Sequence, residues 1–226
     1  MTTQVRADEL VKLLRPEFGN ASISGGGGTA LTEGPGIDIA SNAIGLGGDT
    51  ILIYHANGNP VDEEPATEAG LIAAIGAANS GDIIELPIVT IAGDHTIPAG
   101  VHVYGISCFS TILTGQITGS ASASLENCSI IRSASDANAV YGVAAPATGT
   151  FYLSRIHISA AQAGAGNAAA IYSNAGGDVE AWNCSLLAPA GGGGWHYGVY
   201  MDVGGNLVYI EAGVCIGATG ATNWSP

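Results

Sequence analysis

The chain has 226 residues, is 47% hydrophobic and only 11% charged, and carries 35 glycines and a net charge of −14. Such a length can bury a real core, but five Lys plus Arg residues in all exclude the basic patch that a nucleic acid or an anionic membrane would need. No apolar run approaches the roughly 18 residues of a spanning helix, so membrane insertion is not expected either.

In chain order, residues 7–15 read as a short amphipathic helix, with Leu10, Leu13 and Leu14 on one face and Pro16 after its end. A helix this short is marginal alone. Residues 1–18 are therefore expected to dock or trimerise, through copies of the chain or a larger assembly. The opening Met1-Thr2-Thr3-Gln4-Val5-Arg6 lacks the apolar stretch of a secretion signal, which points to assembly inside a cell. Residues 19–64 read as a glycine-rich β shaft and hinge. Ile37, Ile39, Ile44 and Leu46 lie in short alternating pieces, as do residues 50–54. Such pieces are too short to bury a core in one chain, so several copies are expected to share it. Asp62, Glu63 and Glu64 between Pro60 and Pro65 suggest an acidic hinge.

A helix is predicted over 67–79, with Thr67 as N-cap and Leu71, Ile72, Ile75 and Ala78 as its apolar stripe. Strands follow from Ile83 onward. In the second half, Cys128-Ser129-Ile130, Ile156-His157-Ile158, Cys184-Ser185-Leu186 and Val214-Cys215-Ile216 start 28, 28 and 30 residues apart. The first and third residue of each share a strand face. A second ladder runs Ala139-Val140-Tyr141, Ala170-Ile171-Tyr172 and Gly198-Val199-Tyr200. Two ladders of similar period predict an all-β solenoid over 65–226, with the helix as its N-terminal cap. Cys128 and Cys184 fall two coils apart on the inward side, too far for a disulfide at about 4.8 Å per coil. From residue 96 on there are eight charged residues, which suggests partial burial against neighbouring copies.

Residues 65–105 carry a resemblance. An Ala-rich helix, Ser80-Gly81-Asp82-Ile83-Ile84-Glu85-Leu86, and Thr96-Ile97-Pro98-Ala99-Gly100-Val101-His102-Val103-Tyr104-Gly105 resemble the opening of right-handed parallel β-helices of the pectate-lyase-like superfamily. The likeness extends over roughly 65–222. The short first helix, the Gly25–Gly28 run, Gly34-Pro35-Gly36-Ile37-Asp38-Ile39 and Asn42-Ala43-Ile44-Gly45-Leu46 are similar to shafts of bacteriophage tail fibres and tailspikes. Together they imply a homotrimer of a virion, joined through its N-terminus to tail or baseplate proteins and presenting a β-helix to a cell-surface polysaccharide.

One fold hosts many functions, so activity must be read from residues. Tailspike-like enzymes would use paired carboxylates. The candidates are Asp178 with Glu180, which share a strand face, and Asp202 with Glu211. By the 28-residue register Asp178 and Glu180 meet Thr150 and Tyr152 below and Asn206 and Val208 above, with no further acid, so solvated strand positions are the simpler reading. Arg155 falls between Asn127 and Asn183 on an outward column with no acid in view, which weakens a lyase. Trp182, Trp195, Trp224, Tyr141, Tyr172 and Tyr200 could form sugar-stacking platforms, and Trp182, Trp195, His196 and Tyr197 are the candidate glycan-binding group, the last three following the Gly191–Gly194 run, read as a flexible loop. The five histidines show no metal spacing, and no phosphate loop occurs, so no cofactor is expected. The leading expectation is a receptor-binding structural fibre. A depolymerase on the same fold and a self-assembling filament or surface-array subunit are the alternatives.

Overall fold

The computed structural model describes residues 37–40, 43–46, 50–135, 138–174, 176–202 and 208–224, with 37–40, 43–46 and 220–224 described by their backbone alone. The expected helix bearing Leu10, Leu13 and Leu14 lies outside these residues. Ile37–Ala40 and Ala43–Leu46 form an antiparallel hairpin that sets Ile37 opposite Leu46 and Ile39 opposite Ile44.

From Ile83 onward the chain is a parallel β-solenoid in which each coil contributes one strand to each of three sheets. Face 1 contains Ile83–Leu86, His102–Gly105, Ser124–Glu126, Thr150–Ser154, Asp178–Trp182 and Val208–Glu211. Face 2 contains Val89–Ala92, Thr111–Thr114, Ser129–Ala134, His157–Gln162, Ser185–Ala188 and Val214–Gly217. Face 3 contains His95–Thr96, Ile117–Thr118, Val140–Ala144, Ala168–Ser173, His196–Met201 and Gly220–Trp224.

The core is a set of columns, because parallel register puts like positions above one another. Ile84, Val103, Leu125, Leu153, Ala181 and Ile210 stack behind face 1. Ile91, Leu113, Ile130, Ile158, Leu186 and Cys215 stack behind face 2. Ile117, Val143, Ile171 and Val199 stack behind face 3. Ile130, Ile158 and Leu186 are fully buried, as their spacing predicts. Cys128 and Cys184 are buried free thiols.

The fourth repeat departs from expectation. Between faces 1 and 2 the chain turns through one residue of left-handed backbone per coil: Asn127, Arg155, Asn183 and Ala212, with φ of 54°, 54°, 55° and 51°. The step from Asn183 to Ala212 contains one residue more than the steps before it, and the strand resumes two residues after the corner, as in the coils before it. Cys215 therefore takes the inward column beside Leu186, while Val214 and Ile216 are 52% and 55% exposed.

The N-terminal end of the solenoid is closed by more than the predicted helix. The helix Glu68–Ala77 is capped by Thr67, whose Oγ1 accepts the Gly70 amide at 3.1 Å. It buries Gly70, Leu71 and Ala74 and leaves Ile72 56% exposed, so its apolar stripe is narrower than the sequence suggested. Residues read as shaft complete the closure. Thr50–Tyr54 pairs antiparallel with Ile83–Leu86 on one side and with Asp62–Pro65 on the other. Ile51 and Ile53 are fully buried with Leu71, Ala74 and Ile84 in one core cluster. The acidic hinge is thus the outermost strand of face 1.

Asp82 ties this closure together. Its carboxylate, 2% exposed, accepts the backbone amides of Ala56 and Asn79 at 2.9 Å each and lies 2.8 Å from Nδ1 of His55. The other His55 nitrogen lies 3.0 Å from Asp62. The backbone amides and His55 hold the Asp82 carboxyl down at about 2. The bonds to Asp82 and Asp62 raise the His55 pKa.

Candidate functional site: an aromatic ladder on face 3

Strands normally alternate their side chains, yet on face 3 Tyr141 and Ala144, Ala169 and Tyr172, and Tyr197 and Tyr200 are three apart and share the outer side. The pairing explains this. It matches Tyr141 with Ala169 and Val143 with Ile171, then Ala169 with Tyr197 and Ile171 with Val199, and skips Gly142, Ala170 and Gly198. One unpaired residue per coil, at the same place in each strand, thus resets the alternation. It must be small: a Cβ added at Gly142 would overlap Ile158.

The result is a continuous strip of rings. Tyr141 stacks on Tyr172 at 3.9 Å and Tyr172 on Tyr200 at 5.8 Å, both pairs nearly parallel. Trp195 lies 4.0 Å from Tyr200 and 5.6 Å from Tyr197. Ala169 is sealed to 0% exposure in the middle of this group. The register corrects one sequence alignment: Tyr172 is level with Ala144, not Tyr141, so the first two rings meet diagonally. Tyr172 is level with Tyr200, as predicted.

Asp202 gives the strip a polar edge. It accepts the hydroxyls of Tyr172 at 3.2 Å and Tyr200 at 3.5 Å. Burial pushes the Tyr141 phenol up to about 12, with its ring neighbours and Asp202 adding to it. Burial first and Asp202 second raise Tyr172 and Tyr200 as well. The three hydroxyls therefore keep their protons at neutral pH and remain hydrogen-bond donors.

The glycine run before Trp195 is packed rather than loose. Gly192 N–H donates to Gln162 O at 2.8 Å and Gly193 N–H to Gly164 O at 3.0 Å. A Cβ at Gly191, Gly192 or Gly194 would overlap a carbonyl of the coil below. Asn167 Oδ1 accepts the Trp195 amide at 3.1 Å. Glycine here permits coil-on-coil contact and fixes where Trp195 sits.

The structure divides the candidate glycan residues. Trp195 and Tyr197 join the ladder with Tyr141, Tyr172 and Tyr200. Trp182 is on face 1, stacked on Tyr152 at 5.7 Å. His196 is 2% exposed and belongs to the interior; its backbone amide donates to Thr219 Oγ1 at 2.8 Å. Tyr141, Tyr172 and Tyr200 were legible in the sequence as possible stacking rings, through the tyrosine ending each repeat of the second ladder; what the sequence did not show is that they join Trp195 and Tyr197 in one strip.

The carboxylate candidates do not converge. Asp202 serves face 3, whereas Glu211 ends a face 1 strand and accepts the Tyr209 hydroxyl at 3.1 Å. Asp178 is level with Thr150, and Glu180 lies between Tyr152 and Tyr209. Tyr209 replaces the expected Val208 because of the extra residue in that coil. Among the described residues no cluster of His, Cys, Asp and Glu could hold a metal ion, and no helix is long and apolar enough to cross a membrane.

No protein-family model, no curated protein and no solved structure matches this chain.

Proposed function

We propose that this chain is a receptor-binding fibre or tailspike-type subunit that presents its face 3 ladder to a cell-surface polysaccharide. The observation that carries this reading is the five-ring strip edged by Asp202. A pyranose has an apolar C–H face and a rim of hydroxyls; the stacked rings offer the first their apolar edges and the free face of a ring that ends the stack, and a carboxylate with phenol donors receives the second. The rings repeat from coil to coil, so one polymer can run along consecutive ring edges. Three copies in a homotrimer would multiply modest contacts into useful avidity. The likeness of the residues up to Leu46 to phage shafts supports attachment of the N-terminus to other proteins of a virion and trimerisation near Ile37, Ile39, Ile44 and Leu46.

The test is binding of purified protein to a panel of bacterial surface polysaccharides, with mass determined in solution. The expected result is a trimer that retains at least one polysaccharide and releases no reducing ends or unsaturated sugars. Binding to none of the panel contradicts the reading. Release of sugar that disappears in Asp178→Asn or Glu180→Gln would establish the depolymerase instead.

A further inference from the structure

The corner between faces 1 and 2 carries a second feature, away from the ladder. Asn127, Arg155, Asn183 and Ala212 occupy the same left-handed position in four successive coils. Asn is suited to that backbone because its short amide bonds locally. Arginine has no such advantage, and a residue kept in a disfavoured conformation is a pointer to function. Arg155 is held in place: Nε donates to Asn127 Oδ1 at 2.6 Å and Nη2 to Glu126 at 2.7 Å. Both bonds engage the Nε–Nη2 side of the guanidinium. The Nη1–Nη2 end is then the side suited to a bidentate anion.

A cleft of about 600 Å³ opens at this corner, and Phe109, Asn127, Arg155, His157, Asn183 and Ser185 are among its lining residues. Phe109 is 88% exposed. The lining contains a guanidinium, an imidazole and two amides; Glu126, outside the lining, pairs with Arg155 on the Nε–Nη2 side. In a chain of net charge −14, this is a local concentration of donors that would receive negative charge. The chain has five Lys plus Arg in all. The other arginine of the solenoid, Arg132, spends Nη1 on Gln116 and the Tyr141 carbonyl and Nη2 on Asp94; Arg155 is paired too, with Glu126, but on its Nε–Nη2 side.

We propose that this cleft is a binding site for an acidic sugar, with Arg155 taking the anionic group, Asn127 and Asn183 the neighbouring hydroxyls, and Phe109 the apolar face of the ring. The site does not depend on the ladder, which lies on face 3. A carboxylate and a phosphate share the required chemistry, so the probes separate them.

The experiment is ligand-observed NMR of the full chain with glucuronate, N-acetylneuraminate, glucose 6-phosphate and glucose. The expected result is that at least one acidic sugar binds about tenfold or more tightly than glucose, with the carboxylated or the phosphorylated probes identifying the group. Arg155→Asn should abolish that preference with no loss of thermal stability, because Asn holds the same corner one coil to either side. Phe109→Ala, at an exposed position, should weaken all sugars severalfold. The proposal is overturned if acidic sugars bind no better than glucose, or if Arg155→Asn retains the preference.

Discussion

Tyr141 and Tyr172 stack at 3.9 Å, although the strand register puts Tyr141 level with Ala169 and Tyr172 level with Ala144. The rings meet by leaning across Ala169, so the smallness of that residue decides whether the ladder is continuous. If the ladder binds glycan, Tyr172→Ala should lower affinity about tenfold, ~1.4 kcal/mol. Tyr172→Phe, which keeps the ring and loses the bond to Asp202, should lower it less. Ala169→Leu should part the two rings and weaken binding without touching a sugar. Calorimetric titration of the three variants checks the order.

The raised phenols make a separate prediction. Tyr141, Tyr172 and Tyr200 titrate above the ordinary value of 10.0, Tyr141 near 12. Above pH 10 the unfolded chain surrenders these protons first, so stability should fall as pH rises there. Absorbance titration should show a late group of phenols in the folded protein that joins the main transition after denaturation. A single transition near the ordinary value would contradict the buried stack.

Asp82 and His55 predict the acid side. The carboxyl of Asp82 is depressed to about 2 from 3.8, so its contribution is present above 3.8 and is lost as pH falls towards 2. The raised His55 contributes fully below its ordinary 6.5 and loses its contribution as pH rises through its folded value. The closing strands should therefore be held best between about pH 4 and 6.5. Asp82→Asn turns one accepting oxygen into a donor opposite backbone amides and should cost about 1–3 kcal/mol in that window. Melting temperatures of both proteins across pH should converge near pH 2. A difference independent of pH would disprove the linkage.

Gly192 and Gly193 test the packing of the turn. A Cβ at Gly192 would overlap the Gly164 carbonyl, whereas at Gly193 the nearest heavy atom would be 4.0 Å away. Gly192→Ala should destabilise by roughly 1–3 kcal/mol, and Gly193→Ala should be close to neutral. Chemical denaturation of the pair distinguishes a packed turn from a flexible loop, for which both changes would be tolerated.

The coil was legible because one corner residue and one apolar pair recur at nearly fixed spacing, and stacking forces like upon like. Asn127 and Asn183 carried that period visibly. Ala212 did not, since an alanine at left-handed φ has no sequence signature, and the one-residue slip hid Tyr209 beside Glu180. Tyr172 and Tyr200 were visible as a repeat. Tyr141 was misaligned because one unpaired residue in each strand lets residues three apart share a face. The strand Thr50–Tyr54 was read as shaft because it pairs antiparallel with a strand about 30 residues further on, which no local period announces. The acid beside Arg155 escaped because Glu126 lies one residue off the corner column.

The central claim is that a polysaccharide lies along the face 3 rings, and Trp195 reports on it directly. The measurement is tryptophan fluorescence of a Trp182→Phe, Trp224→Phe protein, which keeps Trp195, during titration with the polysaccharide that the chain binds. The account predicts a saturable change in emission with the same midpoint as binding measured by calorimetry. Full binding with unchanged Trp195 emission would place the sugar elsewhere and contradict it.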